Sequence, residues 1–163
     1  MSSAALVEIH HELDRVFELA RELLVVGDGA HASRALAVYA ALTARHAADE
    51  EALLLPHLPD DARWPASLYT GQHRKLLLSL DRVVGAIAQV DRAAPRWRLS
   101  VLAALDALIP VMHLAEHHHL AEEQELFPSV PAAQLAAIAA AFPADLAAHA
   151  DTLARCRAAL AAR

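Results

Sequence analysis

The sequence predicts an all-α fold: an up-down-up-down four-helix bundle with a C-terminal helical extension. Three observations carry the prediction. Hydrophobic residues fill 56% of the 163 positions but aromatics only 4%, so the apolar content is chiefly Ala, Leu and Val, with only four glycines; that composition favours helix. Apolar side chains recur at spacings of three and four over four long stretches, and no stretch alternates with the period of a strand. Short turns bearing Gly or Pro separate the stretches. The length suits one domain with a sizeable core, comprising a bundle over residues 3–128 and an extension over 131–163.

The first helix is expected from about Ser3 to Val26, capped by Ser2 or Ser3, with Leu6, His10, Leu13, Phe17, Ala20 and Leu24 on its inner face. Gly27-Asp28-Gly29 ends it. The second runs from about Ala30 to Leu55, with Leu36, Tyr39, Leu42, His46, Glu50 and Leu53 as its stripe, and stops at Pro56. The third opens near Pro65 and continues to about Asp91, turning His73, Leu76, Leu77, Leu80, Val84 and Ile87 inward. The fourth spans Pro95 to Phe127 with Leu102, Leu105, Ile109 and Met112 as its stripe, and Pro110 should kink it. A last Ala-rich region, Pro131 to about Ala161, should break or kink near Pro143 and pack closely on the bundle.

Charge and cysteine usage narrow the functional classes. A formal net charge of −6 argues against a nucleic-acid-binding surface. Cys156 is the only cysteine, so an intrachain disulfide and thiolate metal clusters are excluded; it reads as a small buried residue. No signal-peptide pattern follows Met1, and no apolar run of about 18 residues escapes interruption by a charge or histidine. A cytoplasmic protein without a membrane partner is expected. Eleven histidines are the compositional anomaly.

Those histidines have a pattern. His46-Ala47-Ala48-Asp49-Glu50-Glu51, followed by Leu54-Leu55-Pro56, reappears as His118-His119-Leu120-Ala121-Glu122-Glu123, followed by Leu126-Phe127-Pro128. Residues four apart on a helix stack one above the other, so His46 and Glu50 can serve one site, and both lie in the apolar stripe. A buried imidazole and carboxylate are costly unless paired or bound to metal. His10 and His73 hold inward positions on the first and third helices, with His11 as the alternative to His10. On the fourth helix the proline register selects His118 and Glu122, whereas the stripe through Met112 selects His119 and Glu123. A phase change at Pro110 or a π-bulge near the histidines would reconcile the two. We take His118 and Glu122 because the register matches at several positions. His113 and His117 lie off the core, and His31, His57 and His149 are incidental.

The candidate metal ligands are thus His10, His46, Glu50, His73, His118 and Glu122. Six donors exceed the four of a tetrahedral zinc site and suit two ions of five or six coordinates, with the carboxylates bridging and one position open. Imidazole and carboxylate without thiolate favour iron, with manganese as a substitute. Glu51 and Glu123 are candidate supporting or surface acids. The ferritin-like arrangement needs a Glu from each of two helices and Glu-x-x-His from the other two. Glu8-x-x-His11 and Glu116-x-x-His119 have that spacing, but the third helix has no Glu between Pro65 and Asp91.

Across about residues 5–130 the chain resembles the hemerythrin-like (HHE cation-binding) family. The resemblance rests on His10-x-x-Leu13, His46-x-x-x-Glu50-Glu51 with Leu54-Leu55-Pro56, His73-Arg74-Lys75-Leu76, and His118-x-x-x-Glu122-Glu123 with Leu126-Phe127-Pro128. It implies a four-helix bundle around a non-haem di-iron site that meets O2, NO or peroxide. Oxygen carriers of the family place His-x-x-x-His on the third helix, where Leu77 follows His73 here, and an Asp five residues after the His of the fourth. This set looks more like the bacterial branch with four His and two Glu, which is associated with nitrosative stress and iron-centre repair. The resemblance implies a small diatomic or peroxide ligand and an unidentified redox partner. The alternative expectation is a non-catalytic iron or oxygen sensor that signals to a protein partner.

Overall fold

Sequence chemistry is most visible at the first turn of the chain. In the computed structural model, which describes residues 3–163, helix α1 (Ala4–Val25) closes at Gly27, whose φ of +77° suits a residue without a Cβ. Gly27 N–H donates to the Leu24 carbonyl and Asp28 N–H to the Leu23 carbonyl, satisfying the last turn of the helix. Asp28 then starts α2 (Gly29–Leu53), its carboxylate accepting from the His31 N–H at 3.1 Å. Ser3 occupies the N-terminal cap position of α1 but makes no side-chain capping bond, so the expected serine cap is absent there; Ser2 lies outside the described residues.

Four further helices follow: α3 (Ala66–Ile87), α4 (Trp97–Ala121), α5 (Ala132–Ala147) and α6 (Ala150–Ala161). Helix α2 runs into a 3-10 turn at Leu55–His57; α4 runs into a π-helical turn at Glu122–Leu126 and a 3-10 turn at Phe127–Ser129. Among the described residues there is no strand, only one antiparallel bridge between Asp28 and Asp91. Helix α1 packs on α2 and α4, α2 on α3, and α3 on α4, while α5 and α6 lie against α1 and α2. The last helical region divides at Ala148–His149 instead of at Pro143, which sits inside α5.

All six inner-face residues expected on α1 are buried, as are Leu36, Tyr39, Leu42, His46 and Glu50 on α2. Helix α4 corrects the sequence reading. Leu102 and Ile109 are exposed, and the face turned inward is Val101, Ala104, Leu108, Val111, Ala115 and His118. Helix α4 is apolar on both faces, so side-chain size was a poor guide to the inner one. Among the described residues, Trp97–Ser129 alone is long and apolar enough to cross a membrane by length and composition; its most apolar window has a mean hydropathy of 1.6 and is 28% buried. The end of that stretch buries His118, His119 and Glu122 against the other helices.

Candidate metal centre

The inward face of α4 runs 101, 104, 108, 111, 115, 118 and 122 in steps of three and four, so it carries His118 and Glu122 inward with no phase change at Pro110. The π turn does exist, but it begins at Glu122, beyond the histidines. Its wider winding lets Leu126 and Phe127 both bury below Glu122. The alternatives resolve accordingly. His11 is exposed and pairs with Glu8 at 3.5 Å on the surface. His119 is buried but stacks on His10, with ring centroids 3.9 Å apart and planes 6° apart.

His10, His46, Glu50, His73, His118 and Glu122 are all buried and meet at one place. They form two groups of four whose donor atoms lie within 4.8 Å of one another: His10, His46, Glu50 and Glu122, and Glu50, His73, His118 and Glu122. Glu50 and Glu122 belong to both. His10 Nε2 is 3.4 Å from Glu122 Oε2 and 3.2 Å from His46 Nε2; His46 Nε2 is 3.3 Å from Glu50 Oε1. In the other group His73 Nε2 is 3.4 Å from Glu50 Oε2, and His118 Nε2 is 2.8 Å from Glu122 Oε1. Two donors each ~2.1 Å from a shared ion lie ~3.0 Å apart at a right angle and ~3.4 Å apart at the tetrahedral angle. Four of the five separations fall in that range; the fifth, His118 to Glu122 at 2.8 Å, is a direct hydrogen-bond distance.

The outer nitrogens explain why the inner ones are free. His10 Nδ1–H donates to Glu123 Oε1 at 2.8 Å, His73 Nδ1–H to Glu51 Oε1 at 2.8 Å, and His118 Nδ1–H to Gln72 Oε1 at 3.0 Å. A carboxylate only accepts, so in the neutral imidazole the proton sits on Nδ1 and the lone pair of Nε2 points into the centre. Metal-binding histidines are oriented in this way. Sequence reading left Glu51 and Glu123 as supporting or surface acids, and both hold a histidine ring here; it missed Gln72, which carries no periodic or repeat signal.

Electrostatics define what the centre can hold. Both oxygens of Glu50 and of Glu122 are buried without a hydrogen-bond partner, as is His73 Nε2. Burial, and then the neighbouring Glu122, push the Glu50 carboxyl well above its usual range. Burial acts on Glu122 in the same direction, but His118, His10 and His73 outweigh it and hold that carboxyl well below its range. Burial, then His10, lowers His46 to about 3. For His73, burial is outweighed by the nearby carboxylates of Glu122, Glu50 and Glu51, which raise it to about 10. The raised Glu50 and His73 show that protons compensate this crowding of carboxylate and imidazole at neutral pH, and a cation bound between the groups would take the place of those protons. The donor set fits metal ions.

The remaining histidines lie elsewhere. His113, His117 and His57 are exposed, and His31 reinforces the α2 cap through Asp28. Cys156 is buried, with Sγ 3.5 Å from the His31 carbonyl. Tyr69 was not singled out from the sequence. It is fully buried beside His118, ring centroids 6.4 Å apart, with its hydroxyl unpartnered. Burial, then Glu122, Glu125 and Glu50, raise that phenol to about 12 and keep it protonated. Comparison with protein-family models, with curated proteins and with solved structures returned no match.

Proposed function

We propose that this chain is a non-haem di-iron protein of the hemerythrin-like kind, which binds or reduces a small oxidant (O2, NO or peroxide). The observation that carries the reading is the pair of buried four-donor groups sharing Glu50 and Glu122. His10 and His46 would hold one ion, His73 and His118 the other, and the two carboxylates would bridge them. Four protein donors per ion leave room for an exogenous ligand on a five- or six-coordinate metal. The absence of thiolate and the imidazole–carboxylate mixture favour iron, with manganese as a substitute.

Iron held there would supply one-electron redox chemistry and an open coordination position for the oxidant. The chain's own residues set the conditions. Glu123, Glu51 and Gln72 hold three imidazole rings by their outer nitrogens and keep Nε2 free. Leu76, Leu80, Phe127 and Leu126 are buried nearby on α3 and the end of the α4 stretch and limit water. The same reading makes residues 1–163 one domain whose α1–α4 run alternately up and down. In support, the site draws on the N-terminal parts of α1 and α3 and the C-terminal ends of α2 and α4. It also carries a cytoplasmic location and a redox partner protein.

Metal analysis after anaerobic ferrous loading tests the proposal. About two irons per chain are expected, with ligand-to-iron charge-transfer bands after exposure to oxidant. Substoichiometric iron that is unchanged in His46→Ala would overturn it. Separate exposure to O2, NO and peroxide then identifies the oxidant.

A further inference from the structure

The two halves of the centre have different surroundings. Beside His10 and His46 lie the stacked ring of His119 and, 5.6 Å from His10, the ring of Phe127. The His73/His118 half has two features of another kind. A cleft of about 320 Å³ between α2 and α3, lined by Ala47, Ala48, Glu51, Thr70, Arg74 and Leu77, meets His73 beside its hydrogen bond to Glu51. The second feature is Tyr69, one helical turn before His73 and therefore on the same face of α3. Its hydroxyl is buried with no hydrogen-bond partner in the protein, although buried phenols normally find one. An unmatched donor next to a group of metal-binding character is explained if its acceptor arrives from outside.

Resting on the metal reading above, we propose that the exogenous ligand enters by the α2–α3 cleft, binds in the His73/His118 half, and accepts a hydrogen bond from the Tyr69 hydroxyl. The ligand class follows from the donor. A small anion with a terminal lone pair, such as hydroperoxide or azide, gains from a neutral O–H more than a weakly accepting neutral diatomic does. Leu77, one turn beyond His73, supplies no competing donor atom. Tyr69 is thereby a ligand-binding residue, not a metal ligand.

Azide binding to the ferric-loaded full chain is the test, with Tyr69→Phe and Ala48→Trp as variants. Tyr69→Phe removes one oxygen and keeps the ring, so the fold and about two irons per chain are retained. Its azide affinity is expected to fall roughly tenfold, through faster dissociation. The azide stretching frequency should shift between H2O and D2O in the wild type and lose that shift in Tyr69→Phe. Ala48→Trp, at the exposed mouth of the cleft, should slow azide association about fivefold or more while changing the dissociation rate little. Azide affinity and isotope shift unchanged in Tyr69→Phe, with two irons bound, would overturn this inference and leave the metal reading standing. A ferric–phenolate band present in the wild type and absent from Tyr69→Phe would overturn it too, by making Tyr69 a ligand. A wild-type chain that takes up no iron would remove the metal reading itself.

Discussion

Glu51 on α2 accepts from His73 Nδ1 at 2.8 Å, and Glu123, 72 positions later, accepts from His10 Nδ1 at the same distance. The second acid of each repeat thus serves a histidine on a different helix, while the first acid of each enters the centre. Both outer acids are partly exposed, at 43% and 30% of the side chain. Removing them should therefore cost little stability but release an imidazole ring. Glu51→Ala and Glu123→Ala are each expected to weaken ferrous binding about 10- to 100-fold. Competition with a chelator measures this. Affinities within about twofold of wild type would show that the rings are held by packing alone.

Gly29 should be intolerant of any side chain. A Cβ there would sit 2.3 Å from the Val90 carbonyl oxygen and 2.5 Å from that of Ile87, both backbone atoms after the end of α3 or within it. Gly29→Ala must push the start of α2 away from that segment, at a cost of ~3 kcal/mol. Urea denaturation with an unchanged m-value should register the loss. Gly71 and Gly85 have open space around the same position, so alanine at either is the control.

Asp28 should make stability depend on acid pH. Burial raises its carboxyl, but Arg163 and His31 outweigh this and bring it to about 2, below the ordinary 3.8. The folded state therefore binds fewer protons than the unfolded one between those values. Its stabilisation is complete above the unfolded value and disappears as pH falls through about 2. Asn caps a helix as well as Asp does, so Asp28→Asn isolates the charge. With Arg163 half-exposed to solvent, the substitution should cost roughly 1–2 kcal/mol at pH 6. The gap should close towards pH 2; a gap independent of pH would assign the effect to packing.

How legible the molecule was depended on the contrast between faces. On α1 the six expected inward residues are all buried, because charged positions such as Glu8, Glu12 and Glu18 mark the other side. On α4 the large apolar residues Leu102 and Ile109 face out, while Leu108 and the smaller Val101, Ala104 and Ala115 face in. Periodicity there was one position out, while the repeat register, anchored by two prolines, pointed to the pair that converges with the other four donors. Gln72 and Tyr69 escaped notice for opposite reasons. An amide on a helix resembles any surface residue, and an aromatic four positions before His73 resembles core. Only the partners of Gln72 and the missing partner of Tyr69 separate them from those readings.

The adjacent pair His118 and His119 provides the sharpest test of that register. Both are buried, but only His118 belongs to a four-donor group; His119 belongs to neither and lies flat on His10. Burial, then His10, holds His119 well below its ordinary value, which suits a neutral packing ring. Phenylalanine at either position preserves an aromatic ring and removes both nitrogens, so the two substitutions are matched in bulk. His118→Phe should leave one group with three donors and reduce iron to about one per chain. His119→Phe should keep about two irons and change affinity less than tenfold, since the stack on His10 survives. Iron content after gel filtration, beside a thermal melt to verify folding, decides between them. Loss of one iron in His119→Phe with retention in His118→Phe would transfer the ligand role to His119, and the inward face of α4 would have to turn by one residue.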